Sequence, residues 1–151
     1  MRTLVVIPTY NERANIQALL NQVLSLPEGF HVLVVDDGSP DGTAQLVKEL
    51  QSQFPTRIHL LERAGKLGLG TAYLAGFRWG LNSGYDFIFE MDADFSHNPN
   101  DLSRLLHACL QEGADLAIGS RYVRGGGVIN WPFNRIALSK GASIYTRLVT
   151  G

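Results

Sequence analysis

The sequence predicts an α/β fold, an open and mostly parallel sheet with helices on both faces, and three observations predict it. Short, nearly continuous apolar runs alternate with stretches whose apolar residues recur every three or four positions, which is the rhythm of β-α-β units. The apolar runs lack the in-out alternation of a half-solvated strand, so they suit strands covered on both faces. Polar loops, two of them rich in carboxylates, follow three of these runs, at the carboxyl ends of strands where such sheets place their ligands.

The first run is Leu4-Val5-Val6-Ile7, and Ile16, Leu19, Leu20, Val23 and Leu24 then repeat at the spacing of one helix face. Val32-Leu33-Val34-Val35 reads as the second strand. Leu46, Val47 and Leu50 form the next helical stripe, with Thr43 in position to cap it. Ile58-His59-Leu60-Leu61 is the third strand, and Gly65-Lys66-Leu67-Gly68-Leu69-Gly70-Thr71 reads as a tight helix entry carrying one basic contact, Lys66. That segment fits neither the Walker order nor the dinucleotide pattern, whose third glycine is here Tyr73. Phe87-Ile88-Phe89 is the fourth strand. Leu102, Leu105, Leu106, Cys109 and Leu110 follow Asn100 and Asp101 as another helix, and Leu116-Ala117-Ile118 is the expected fifth strand. From Asn134 to Val149 the apolar Ile136, Ala137, Ile144, Leu148 and Val149 have less to pack against.

Bulk properties set the class. A chain of 151 residues, 45% hydrophobic and 18% charged, has the size and composition of one soluble globular domain. The single cysteine, Cys109, makes no internal disulfide and falls in an apolar stripe, as a packed core thiol does. No signal pattern precedes Leu4 and no apolar run reaches the ~20 residues of a membrane span, so a cytoplasmic location is expected. The net charge of -1 conceals an asymmetry: residues 121–151 carry five Arg or Lys and no Asp or Glu, while all 14 acidic side chains lie before them. A basic end beside an acidic body points to an anionic ligand or surface. His31, His59, His97 and His107 show no zinc spacing.

The loops carry the chemistry. Asp92 and Asp94 flank Ala93 just after the fourth strand. Two carboxylates this close repel unless a cation or a shared proton lies between them, and hard divalent ions take carboxylate, phosphate and water oxygens. Asp94 is the candidate ligand to such an ion, bridging it to a nucleotide diphosphate, with Asp92 contacting the nucleoside sugar or a metal-bound water; the alternative is a cap on the following helix. Asp36 and Asp37 close the second strand, where a carboxylate can bond a ribose hydroxyl or a base edge, or serve the turn. Gly38, Ser39, Pro40, Asp41 and Gly42 have turn chemistry. Glu12 can favour a helix N-terminus, and Tyr10 can pack or stack on a base.

Together these loops resemble family 2 glycosyltransferases of the GT-A (Rossmann-like) fold, and most of all the dolichol-phosphate or polyprenol-phosphate mannosyltransferases. The matching text is Ile7-Pro8-Thr9-Tyr10-Asn11-Glu12, Val35-Asp36-Asp37-Gly38-Ser39-Pro40-Asp41-Gly42-Thr43, Lys66 to Tyr73, Met91-Asp92-Ala93-Asp94-Phe95-Ser96-His97 and Gly119-Ser120-Arg121-Tyr122. Gly126-Gly127-Val128, Trp131, Arg135 and Ser139-Lys140-Gly141-Ala142 extend it nearly to the end. The resemblance implies that Pro8, Tyr10, Glu12, Val35 and Asp37 line a guanine or ribose pocket. It implies that Asp92 and Ala93 contact the nucleotide and that Asp94 holds Mg2+ or Mn2+ against the diphosphate. Ser96 stands where some relatives carry a metal-binding Gln, and Arg121 binds phosphate of donor or acceptor. It also implies that residues 1–151 are a catalytic domain truncated at its C-terminus, before the family's further basic donor contacts.

The expected activity is transfer of mannose from GDP-mannose to a polyprenyl (dolichyl) phosphate with inversion, Asp92, Asp94 and Arg121 being the catalytic candidates. Arg121, Arg135 and Lys140 would hold the acceptor and Trp131 its isoprenoid chain. Contact with the cytoplasmic face of a membrane would come through the acceptor or a further segment, and no nucleic acid is expected. The alternatives are a related transferase using a UDP-sugar, a non-catalytic nucleotide-sugar-binding module, and a haloacid-dehalogenase-type phosphatase suggested by Asp92-x-Asp94-x-Ser96.

Overall fold

The structure, a computed structural model, describes residues 1–120 and 132–150. The elements run β1 (Thr3–Thr9), α1 (Arg13–Leu24), β2 (His31–Asp36), α2 (Thr43–Gln53), β3 (Ile58–Glu62), α3 (Leu69–Asn82), β4 (Phe87–Glu90), α4 (Asp101–Gln111) and α5 (Phe133–Thr150). They fall into two compact units, Met1–Ala117 and Ile118–Gly151.

In the first unit the sheet has the order β3-β2-β1-β4 and every pair is parallel. Alternate residues of its central strands supply two cores. Val5, Ile7, Val32 and Val34 pack with Ile16, Leu19, Leu20 and Val23 of α1, Val47 of α2, and Leu102 and Leu106 of α4. Leu4, Val6, Leu33 and Val35 face the other way, onto Ala72, Tyr73 and Trp79 of α3. Each fully buried aliphatic side chain contributes about 1.5–3 kcal/mol of transfer free energy, which explains why the strands read as unbroken apolar runs.

The split of helices between faces follows from handed crossovers. The chain steps from β1 to β2 to β3 in one direction, then returns across α3 to place β4 on the far side of β1. The carboxyl ends of β1 and β4 therefore flank the switch point of the sheet, the crevice where ligands bind in this architecture. Helix α3 lies close over the sheet because Gly76 and Gly80 present no side chain to it. A β-carbon at Gly76 would run into Val6, and one at Gly80 would come within 2.9 Å of Leu4 and Ile88.

Three expectations are corrected. Leu116-Ala117-Ile118 forms no strand, and Leu116 and Ile118 are each 75% exposed; an apolar triplet carries strand propensity but no information about a partner edge. Thr43 does not cap α2 with its side chain. Instead Asp41 Oδ1 accepts the Thr43 N–H at 2.9 Å, because Gly42 takes the cap position at φ 86°. Cys109 is half-buried rather than in the core, since only Leu102 and Leu106 of α4 are buried.

The second unit contains α5, whose Leu138, Ile144, Tyr145, Leu148 and Val149 are exposed. Among the described residues no helix is long and apolar enough to cross a membrane.

Candidate functional site

Loop one, after β1, turns sharply at Asn11 (φ 63°), a left-handed conformation that Asn tolerates better than most residues. Its backbone is held by side chains of loop two. Ser39 Oγ accepts the Asn11 N–H at 3.0 Å, Thr43 Oγ1 the Glu12 N–H at 3.1 Å and Asp41 Oδ2 the Arg13 N–H at 3.1 Å. Donors that the start of α1 leaves without an intrahelical acceptor are thus satisfied from a distant loop. Although burial raises the proton affinity of Asp41, hydrogen bonds from Thr43 and Arg13 outweigh it and hold its pKa below the ordinary value.

Asp36 and Asp37 divide their roles. Asp36 is buried and accepts hydrogen bonds from Thr9 Oγ1 at 2.8 Å, the Ser39 N–H at 2.9 Å and Ser39 Oγ at 2.6 Å, so it ties β1 to loop two. Asp37 receives Arg63, whose Nε lies 2.6 Å from Oδ1 and Nη2 2.7 Å from Oδ2. Arg63 Nη1 also donates to Thr71 Oγ1 at 2.9 Å, linking loop two to the start of α3.

After β4, the Met91 N–H bonds Val6 O at 3.1 Å and continues the ladder one residue. The chain then turns through Asp92, Ala93 and Asp94 and passes Phe95 at φ 59°. Tyr73 Oη donates to Asp92 Oδ1 at 2.9 Å, and burial followed by this bond pushes the phenol pKa well up, so it stays protonated. The Asp92 N–H donates to His97 Nδ1 at 3.3 Å. In the neutral ring that bond leaves the proton on Nε2, 3.9 Å from Asp92 Oδ2. Hydrogen bonds from the Ser96 side chain and backbone hold the Asp94 carboxyl below its ordinary pKa; the backbone N–H lies 2.9 Å from Asp94 Oδ1.

These loops enclose a cavity of about 230 Å³ at the switch point. Pro8, Tyr10, Glu12, Asp37, Lys66, Asp92, Ala93 and Asp94, all expected in the site, line it, joined by Thr9, Leu69 and Ala72. Lys66 Nζ sits 4.6 Å above the Tyr10 ring, a cation-π contact. Glu12 Oε2 accepts a bond from Asn15 Nδ2 at 3.0 Å. Val35 is not brought to the wall, because its side chain is buried under α3. Ser96 is exposed beside Asp94. Arg121 and Trp131 lie outside the described residues, as does the side chain of Arg135, while Lys140 is an exposed residue of α5.

Among the described residues no three His, Cys, Asp or Glu side chains converge as a metal cage. Two carboxylates and the Ser96 hydroxyl are a partial oxygen shell, suited to a hard cation whose remaining positions go to phosphate and water. Arg63 and Tyr73 have no local sequence signal for their roles; Arg63 meets a partner 26 residues away and Tyr73 one 19 away.

Residues 4–149 match the Glycosyl transferase family 2 domain. The chain is 57% identical over 150 residues to polyprenol monophosphomannose synthase of Mycolicibacterium smegmatis, covering 99% of this chain and 56% of that protein. It is 48% identical over 151 residues to undecaprenyl-phosphate mannosyltransferase of Micrococcus luteus, covering 100% and 61%. It thus spans little more than half the length of these two relatives. Among solved structures, mannosyltransferase PcManGT from Pyrobaculum calidifontis in complex with GDP-Man and Mn2+ superposes with a TM-score of 0.55 and 28% identity, over 62% of this chain and 27% of that one. S. aureus TarS 1-349 in complex with UDP gives a TM-score of 0.53 and 28% identity, over 62% and 28%. With four parallel strands, helices on both faces and a carboxylate pair at the switch point, the chain has the GT-A fold and belongs to glycosyl transferase family 2.

Proposed function

We propose that this chain binds the donor in an inverting mannosyltransferase that moves mannose from GDP-mannose to a polyprenyl phosphate with a divalent cation. The observation that carries the reading is the charge of the cavity. Among the described residues, Glu12, Asp92 and Asp94 line it together with Lys66, which lies over the Tyr10 ring, while Arg63 is spent on Asp37. A nucleoside diphosphate is repelled by such a wall unless a bound cation intervenes. Asp94 would hold that cation, with Ser96 contributing through its hydroxyl or a water. Bound there, Mg2+ or Mn2+ supplies positive charge against the departing diphosphate.

Tyr10 and Lys66, which line the cavity, would meet the base or ribose, and Asp92 the nucleoside sugar. Arg121, Arg135 and Lys140 are proposed to orient the acceptor. A phosphate monoester, with its second pKa near ~6, is largely a dianion at neutral pH, so its oxygen attacks without a protein general base. The mannose donor rests on the mannosyltransferase relatives, because solved structures of equal identity hold GDP-Man in one case and UDP in the other.

Calorimetry of GDP, UDP, GDP-mannose and UDP-glucose, each with and without Mn2+, tests the reading. Tighter binding of the GDP ligands, strengthened by metal, is expected. Preference for UDP would replace the donor assignment, and metal-independent binding would remove the cation. For the acceptor, a transfer assay should accept polyprenyl phosphate and leave the matching polyprenol unused.

A further inference from the structure

The two aspartates after β4 are constrained in a matching way. Asp94 Oδ1 accepts the Ser96 N–H at 2.9 Å, and Asp92 Oδ1 accepts Tyr73 Oη at 2.9 Å. Asp92 Oδ2 lies 3.9 Å from His97 Nε2, beyond hydrogen-bond length. Among the described residues, Asp92 therefore has one oxygen fixed by the protein and a second that accepts no hydrogen bond.

The donor to Asp92 comes from another layer of the fold. Tyr73 sits one turn before Gly76 on α3, and the contact of Gly76 with Val6 brings that helix down onto β1. The Tyr73 ring stacks on Phe77 with centroids 6.3 Å apart, so its position is set by packing before the hydroxyl bonds anything. A neutral donor holds a carboxylate without cancelling its charge, as Lys or Arg in its place would; the pair keeps the negative potential that attracts a cation.

We infer that Tyr73 is a positioning residue: its hydroxyl fixes the Asp92 carboxylate so that the free oxygen meets the nucleotide or its metal-bound water. This deepens the proposed function and rests on it for the identity of the ligand, though not for the orientation of Asp92.

Tyr73→Phe removes only the hydroxyl and keeps the ring packing. The Asp92 side-chain rotamer, read from three-bond NMR couplings in the ligand-free protein, should be single in the parent and averaged in Tyr73→Phe. GDP affinity in Mn2+ should fall by roughly 10- to 100-fold, the range for a hydrogen bond to a charged group, while the melting temperature falls by only a few degrees and the protein stays folded. In an Asp92→Asn background the same substitution should cost little, since a residue acting through Asp92 cannot act twice. A single Asp92 rotamer in both proteins, or fully additive losses, overturns the inference. If the parent protein binds no nucleoside diphosphate, the proposed function fails and the rotamer measurement alone decides the role of Tyr73.

Discussion

Arg63 grips Asp37 through two parallel hydrogen bonds of 2.6 and 2.7 Å, and both side chains are about nine-tenths buried. Arg63 also reaches Thr71 Oγ1 and Gly68 O, so one guanidinium joins β3, loop two and the entry to α3. Breaking such a pair from one side leaves a buried charge without its partner, at a cost of about 3–5 kcal/mol. Arg63→Leu should lower the free energy of unfolding by about that amount. Arg63→Lys should recover only part of it, because an ammonium cannot reproduce the fork. Urea unfolding measures both, and a loss below ~1 kcal/mol in Arg63→Leu would show that the pair is not holding the loops.

The closeness of α3 to the sheet is tested at Gly76. Its α-carbon faces Val6 with no room for a methyl group, although alanine favours helices by about 1 kcal/mol over glycine. Overpacking typically costs ~1–3 kcal/mol and should win here, so Gly76→Ala should be destabilising. Gly70→Ala, where a β-carbon meets nothing within 4 Å, should be neutral or stabilising. Thermal melts of the two variants give the comparison; equal melting points would mean that α3 stands further from β1.

How much of this was legible in the sequence depends on the range of each interaction. The four strands, their parallel arrangement and the positions of α1, α2 and α4 follow from periodicity, which is local. Asp92 and Asp94 were legible because a carboxylate pair after a buried strand is both unusual and placed where ligands bind. Arg63 and Tyr73 were not, since their partners are fixed by tertiary packing. The same holds for Ser39, Asp41 and Thr43, which read as turn and cap residues of their own loop yet bond the backbone entering α1. Leu116-Ala117-Ile118 failed for the complementary reason: a strand exists only where a neighbouring edge receives it.

Away from the site, His31 Nδ1 and His59 Nε2 both contact Tyr85 Oη, at 2.9 and 3.2 Å. Burial, then the charges of His59, Arg2 and Arg57, lower the pKa of His31, and burial, then Arg2, lowers that of His59. The folded protein therefore holds these rings neutral at a pH where the unfolded chain protonates them. Below the ordinary value of 6.5 the unfolded state binds more protons, so stability falls as pH drops through that value and is fully present above it. Asp41 and Asp94, with lowered pKa values, lose their contribution only below the ordinary 3.8. Urea midpoints between pH 7.5 and 5 should decline in the parent and decline less in His59→Gln. A parallel decline in both would place the effect elsewhere.

Asp94 and Ser96 separate a direct metal ligand from its support. The Ser96 backbone N–H bonds Asp94 Oδ1, so Ser96→Ala leaves that bond in place and removes the hydroxyl together with its hydrogen bond to the Asp94 carboxyl. Asp94→Asn keeps the shape of the side chain and removes its charge, which is what a hard cation binds. Changes in the support of a metal site typically cost ~10–100-fold in metal affinity. Ser96→Ala should fall within that range or below it, and Asp94→Asn should exceed it. Titration of Mn2+ in the presence of GDP, followed by water-proton relaxation, measures the two directly. An Asp94→Asn protein that retains Mn2+-dependent GDP binding would remove Asp94 from the metal. A larger loss in Ser96→Ala than in Asp94→Asn would make the hydroxyl, not the carboxylate, the principal ligand.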